Sequence, residues 1–178
     1  MDKNQFIWYP TINYGYITKD MWKYIYNIQH RMIKYNLVDT DISYMINRLF
    51  NYKVKSTNRN CGGYCSYSTQ TIAVHKEDYS PDKLLKFKHT IAHEVGHVIQ
   101  AEVEYFEKEE LLLSNRYYLE LQAESLGNIL FDIMFPNDKK DIKKFDNYFH
   151  KKAIVFLRDY YGGGVQNDLE YEIDNWII

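Results

Sequence analysis

His93 and His97 stand four residues apart in a stretch whose apolar residues recur at three- and four-residue steps. No other feature constrains the chain as strongly. An α-helix turns every 3.6 residues, so positions i and i+4 share a face. The two imidazoles therefore project side by side, about 5–6 Å apart at Cβ. Leu84, Leu85, Ile91, Ala92, Val95, Val98 and Ile99 fall on one broad face of the same helix. Ser80-Pro81 supplies a cap and a first-turn proline, so the pattern predicts a helix from there to Glu104 or further.

Two imidazoles at that separation can both reach one zinc ion, at about 2.0–2.1 Å. Glu94 lies about 100° around the helix from His93. It is poorly placed as a ligand and well placed to accept a proton from water at the ion. His93-Glu94-Val95-Gly96-His97 thus predicts two metal ligands and a general base. Glu94 would take the water proton during attack on a carbonyl and return it to the leaving amine.

Catalytic zinc takes three protein ligands and keeps one open position. The next histidine after His97 is His150, which excludes the metzincin pattern. A carboxylate is the better third ligand. A helix over Asn115–Phe135, with Leu119, Ala123, Leu126, Leu130 and Ile133 as its stripe and Pro136 as its stop, carries Glu120 and Glu124 on one face. Glu120 is the first candidate ligand. Glu124, one turn on, would then hydrogen-bond a ligand histidine; the reverse assignment stays open. Gly127 continues that face and would allow close packing on the motif helix. Gly96, inside the motif, costs about 1 kcal/mol against Ala in a helix, a choice that a chance helix would not favour.

Other residues carry less. His89, one turn before His93, is either a rim histidine or a group that orients water or a substrate carbonyl. Tyr117 and Tyr118 lie a turn or less before Glu120 and are candidate donors to an oxyanion, although 18 Tyr offer many alternatives. His150 reads as a structural histidine. Cys61-Gly62-Gly63-Tyr64-Cys65 lacks a second cysteine pair, so a structural zinc site would be short of ligands. A glycine-rich loop before a strand is the better account.

The remaining pattern sets the fold class. Residues 1–17 read as an irregular arm. A helix runs from Thr18 or Lys19 to about Asn36, with Trp22, Ile25, Ile28, Met32 and Ile33 recurring along it. A second is capped by Asp39 or Thr40 and striped by Ile42, Met45, Ile46 and Leu49. Residues 52–63 read as loop and 64–75 as strand, with Gln70–His75 the firmer half. A last amphipathic helix is expected over 137–160, broken by Gly162-Gly163-Gly164. The fold class is α+β, mostly helical, with one small β-sheet and the motif on a central helix. The 178 residues fit a single domain. It comprises an N-terminal helical part (1–55), a catalytic core (64–136) and a C-terminal helical part (137–178). A formal charge of −2 without a basic stripe argues against nucleic-acid binding. No apolar run has signal-peptide or membrane-spanning length, so a cytoplasmic chain without a membrane partner is expected. Nothing in the sequence fixes an oligomeric state.

The run His89-Thr90-Ile91-Ala92-His93-Glu94-Val95-Gly96-His97 resembles the FTxAHELGH motif of the ImmA/IrrE family of metallopeptidases. His89 stands where the family has Phe, and Val95 where it has Leu. A strand and a short polar loop precede the motif helix in that family, and Thr71-Ile72-Ala73-Val74 sits at that distance. Glu120-Leu121-Gln122-Ala123-Glu124-Ser125-Leu126-Gly127 is similar to the family's E-x-x-A-N-x-F-A helix. Glu120 and Ala123 match, Glu124 replaces Asn, Leu126-Gly127 replaces Phe-Ala, and Pro136 comes later than the family's proline. The resemblance covers about residues 70–136. It implies a zincin-like domain of the gluzincin type that binds Zn2+ through His93, His97 and Glu120. Its substrate would be a protein, such as a regulator encoded nearby in a phage or mobile element. The strand at 70–75 would offer an edge for an extended substrate. The alternative is a non-catalytic phage or mobile-element binding protein that kept the zincin scaffold; Glu94, present beside both histidines, favours the enzyme. A zinc amidase acting on cell-wall peptides is a third reading, disfavoured by the lack of a secretion signal. The two helices in 18–50 lack a basic recognition face and are not read as DNA-binding.

Overall fold

The computed structural model describes residues 17–59, 61–78, 83–103 and 116–138. The expected arm up to residue 16, the Ser80-Pro81 helix start, the helix over 139–160 with His150, and the triple glycine lie outside the described residues.

Local rules account for the first two helices. In α1 (Lys19–Lys34) the Thr18 side chain accepts a hydrogen bond from the Met21 amide at 3.2 Å. Asp20 in the first turn and Arg31 and Lys34 in the last match the helix dipole. The buried stripe is Met21, Ile25, Ile28 and Met32. Trp22 and Ile33, expected inside, are exposed at 38% and 75%. The strict i, i+4, i+7, i+11 set wins, and Met21 belongs to it where Trp22 does not. Asp41 caps α2 (Ile42–Phe50), accepting from the Tyr44 amide at 3.0 Å. This corrects the expected cap at Asp39 or Thr40. Asp39 adopts a left-handed φ of 60° and accepts from the Asn137 side chain, while the Thr40 hydroxyl donates to the Leu37 carbonyl. Arg31 donates to the carbonyls of Arg48 and Leu49, tying α1 to the end of α2.

The sheet differs most from the sequence reading. Lys53–Thr57, expected as loop, is strand β1. Residues 64–75 are two strands, β2 (Gly63–Ser66) and β3 (Thr71–His75), joined by a turn in which Gln70 has φ 46°. The order is β1-β3-β2, with β1 parallel and β2 antiparallel to β3. Tyr64 pairs with Ala73 and Val54 with Ile72. β3 is therefore the central strand, which explains why Thr71 to Val74 are all buried. It also corrects the expectation that 70–75 offers an edge: both its edges are taken, and β2 is the outer strand on that side among the described residues.

Against the sheet packs α3 (Leu84–Glu102), which carries the motif. Eleven of its residues are buried, from Phe87 to Gln100, so it is enclosed nearly all round as a central helix. Leu84, expected on its apolar face, is exposed. α4 (Arg116–Met134) packs along α3 and ends before a single 3-10 turn, Pro136–Asp138. Ile72, Ile91, Ile99, Leu126 and Leu130 join the α1 and α2 stripes in one apolar cluster. Full burial of each such side chain contributes about 1.5–3 kcal/mol. The architecture is α+β, mostly helical with one small sheet. No helix among the described residues is long and apolar enough to cross a membrane.

Candidate metal centre

Two glycines set the distance between α3 and α4. A Cβ on Gly96 would lie 2.5 Å from the Ala123 carbonyl oxygen, and one on Gly127 would lie 3.0 Å from the His93 Cα. Backbone thus meets backbone on both sides of the contact. Gly96 is explained by this approach. Its cost in helix propensity goes with packing.

At that separation the α4 carboxylates reach the α3 histidines. The His93 and His97 rings stand edge to face, with centroids 5.0 Å apart. One oxygen, Glu120 Oε2, lies 3.2 Å from His93 Nε2 and 3.4 Å from His97 Nε2. The donor atoms of His93, His97 and Glu120 all fall within 4.8 Å of one another. A tetrahedral ion with bonds of about 2.0–2.1 Å holds its ligand atoms about 3.3 Å apart. Two imidazole nitrogens and a carboxylate oxygen at this spacing fit zinc in both chemistry and dimension.

Each histidine is held from behind. Glu124 Oε2 lies 2.7 Å from His93 Nδ1, and its other oxygen lies 3.2 Å from His89 Nε2. His97 Nδ1 lies 2.8 Å from Gln100 Oε1. His89, read as a rim residue in one of its two sequence readings, is buried and bound to Glu124. It supports the site from the far side of that carboxylate.

The electrostatics follow from these contacts. Burial acts to lower the His93 pKa, but hydrogen bonds and charge from Glu120 and Glu124 outweigh it and hold the imidazole well above its usual range. His97 is raised on the same balance, by Glu120. Burial acts to raise the carboxyls of Glu120 and Glu124. The imidazoles of His93 and His97 around the first, and of His89 and His93 around the second, hold both far below the usual range. Glu94 moves the other way. Burial raises its pKa, and Glu120 and Glu124 add to the rise against the opposing pull of His93 and His97. The motif carboxylate is thus more basic than the two on α4, as a proton acceptor needs to be.

The outer strand comes close at this point. A Cβ on Gly63 would lie 2.9 Å from Glu94 Oε1 and 2.7 Å from Thr90 Cγ2. Strand alternation puts Gly63 and Cys65 on one side of β2, and Tyr67 follows in step in the turn beyond. The pKa of the Tyr67 phenol is raised by burial first, then by the charges of Cys65, Glu94, Tyr52 and Glu120. Tyr67 therefore senses both the motif carboxylate and the α4 carboxylate. Tyr67, two residues beyond Cys65, is not among the tyrosines that the sequence reading singled out. The side chains of Tyr117 and Tyr118 lie outside what the structure describes. Cys61 and Cys65 are free thiols. Burial and the Glu94 charge raise both, Cys65 to about 12, which keeps them protonated near neutral pH.

Compared with protein-family models, curated proteins and solved structures, the chain matches none.

Proposed function

We propose that this chain is a zinc-dependent peptidase of the gluzincin type, with His93, His97 and Glu120 as metal ligands and Glu94 as general base. The observation that carries the reading is the single Glu120 oxygen shared between two imidazole Nε2 atoms, at 3.2 and 3.4 Å. Zinc at these residues supplies Lewis acidity, making water a nucleophile at neutral pH and drawing charge from a carbonyl oxygen. Glu94 takes the proton from the attacking water and delivers it to the departing amine. Its burial and raised pKa suit both halves of that transfer. Tyr67, whose phenol lies in the field of both Glu94 and Glu120, is the candidate donor to the developing oxyanion. An extended substrate pairs with the outer edge of β2, the strand whose own backbone at Gly63 lies against Glu94. The resemblance to the ImmA/IrrE motif supports a protein substrate, such as a regulator met in the cytoplasm.

The test separates metal from chemistry. Wild type and Glu94→Gln are each expected to carry one zinc per chain by elemental analysis. Glu94→Gln is expected to cleave a co-expressed substrate on the order of 10²–10⁴ times more slowly. Wild type without zinc sinks the reading. Zinc with unchanged proteolysis in Glu94→Gln removes the assigned base, and zinc with no cleavage in either leaves a binding protein on this scaffold.

A further inference from the structure

Gln100 is wholly enclosed, at 0% exposure, on the same helix as the motif. A buried amide is tolerated when its polar atoms are all bonded. The Gln100 Nε2 donates to the Leu119 backbone carbonyl at 2.8 Å and to Gln122 Oε1 at 2.9 Å. A backbone carbonyl can only accept, so that end of the amide must be the NH2 group. The other end, Oε1, then faces His97 Nδ1 at 2.8 Å, and it too can only accept. His97 must therefore carry a proton on Nδ1. In the neutral imidazole this leaves the lone pair on Nε2, the nitrogen 3.4 Å from Glu120.

We propose that Gln100 is a positioning residue that locks His97 in the tautomer a metal needs and ties it to the α4 segment bearing Glu120. The inference rests on the reading of His97 as a ligand. Leu119 directly precedes Glu120, so one amide bridges the backbone next to one ligand and the ring of another. The two histidines are held in different ways. His93 has a carboxylate behind it, which adds charge and raises its basicity. His97 has a neutral amide, which fixes the tautomer and adds no fourth carboxylate to Glu94, Glu120 and Glu124.

The partner chemistry gives a test that separates positioning from packing. Gln100→Met keeps volume and removes the acceptor. Gln100→Glu keeps an acceptor towards Nδ1 and gives up the donor to Leu119. A packing role ranks Met above Glu in every measurement, because a buried carboxylate next to a carbonyl is the worse fit. A positioning role ranks Met above Glu in thermal stability and reverses the order in zinc affinity. By chelator competition Gln100→Met is expected to bind zinc about 10–100-fold more weakly than wild type. Gln100→Glu is expected to stay closer to wild type. Zinc affinity of Gln100→Met within twofold of wild type overturns the inference. A second measurement needs no variant: proton–nitrogen NMR of zinc-loaded wild type is expected to show a solvent-protected His97 Nδ1–H. Coordination through Nδ1 overturns the inference even if no variant folds. Failure of wild type to bind zinc at all is read in the first titration; it removes the metal reading and this inference with it.

Discussion

The approach of α3 and α4 at Gly96 can be probed with one methyl group. In Gly96→Ala the new Cβ would stand 2.5 Å from the Ala123 carbonyl oxygen and 3.0 Å from its Cα. Ordinary contact begins at 3.4 Å, so relief by separation alone moves α4 outward by about 0.9 Å, the difference between 3.4 and 2.5. Ala123 is one turn from Glu120, so the shift passes to that carboxylate. Zinc sites hold their bonds to within about 0.2 Å, and a displacement several times larger takes Glu120 out of reach. Stability should respond less. Overpacking costs about 1–3 kcal/mol, and Ala over Gly in a helix returns about 1 kcal/mol. The net cost of zero to about 2 kcal/mol lowers Tm by at most about 8 °C. Gly96→Ala is therefore expected to fold, to lose a few degrees, and to bind zinc at least tenfold more weakly, since merely disturbing a ligand's partner costs about that much. Gly62→Ala is the control, because a Cβ there meets nothing within 4 Å. Isothermal titration of both variants with zinc decides the matter. Affinity of Gly96→Ala within twofold of wild type, or an equal loss in Gly62→Ala, refutes the reasoning.

Three further outcomes are expected. His89→Phe and Glu124→Asn should each destabilise the protein, because each strands one member of a buried pair 3.2 Å apart. The double variant should recover part of the loss, with a coupling of about 0.5–3 kcal/mol in a denaturation cycle; additive losses contradict the pairing. Metal-stripped protein should lose thermal stability as pH rises. The raised pKa values of His93 and His97 give stability that is complete below the unfolded value of about 6.5 and is lost as pH climbs through the folded values. Zinc needs neutral imidazoles and should bind more tightly over the same range; a flat or rising Tm in stripped protein counts against this balance. Tyr67→Phe should keep its zinc and lower kcat by about 10²–10³-fold if the phenol serves the oxyanion, whereas an unchanged kcat removes Tyr67 from the reaction.

The motif helix and the α4 carboxylates were legible because helical geometry is local. A four-residue step puts two side chains on one face whatever the rest of the chain does, and that holds for His93 with His97 and for Glu120 with Glu124. Strand β1 was not legible. Lys-Val-Lys-Ser-Thr is largely exposed and offers one half-buried apolar residue, Val54. Its order comes from pairing with β3, a contact between distant segments that no period encodes. The turn that divides 64–75 was hidden for the same reason, since Ser66 to Gln70 contain neither Gly nor Pro and Gln70 takes the left-handed conformation itself. Gln100 was visible as a residue and silent as a function, because its role depends on the Leu119 carbonyl of another helix.

His89 and Glu124 act as one unit across the contact of α3 with α4. The two lie on different helices, and their side chains meet at 3.2 Å. A Glu at position 124 alone would add a buried negative charge beside Glu94 and Glu120. A zinc dication held by His93, His97 and Glu120 would leave one of three negative charges uncompensated, and burial would make that charge costly. The His89 imidazole lies against the other oxygen of Glu124 and holds that carboxyl's pKa down. The carboxylate that backs His93 at 2.7 Å is thus kept ionised. His89 therefore belongs to the charge balance around Glu124, a role no spacing rule within its own helix could reveal.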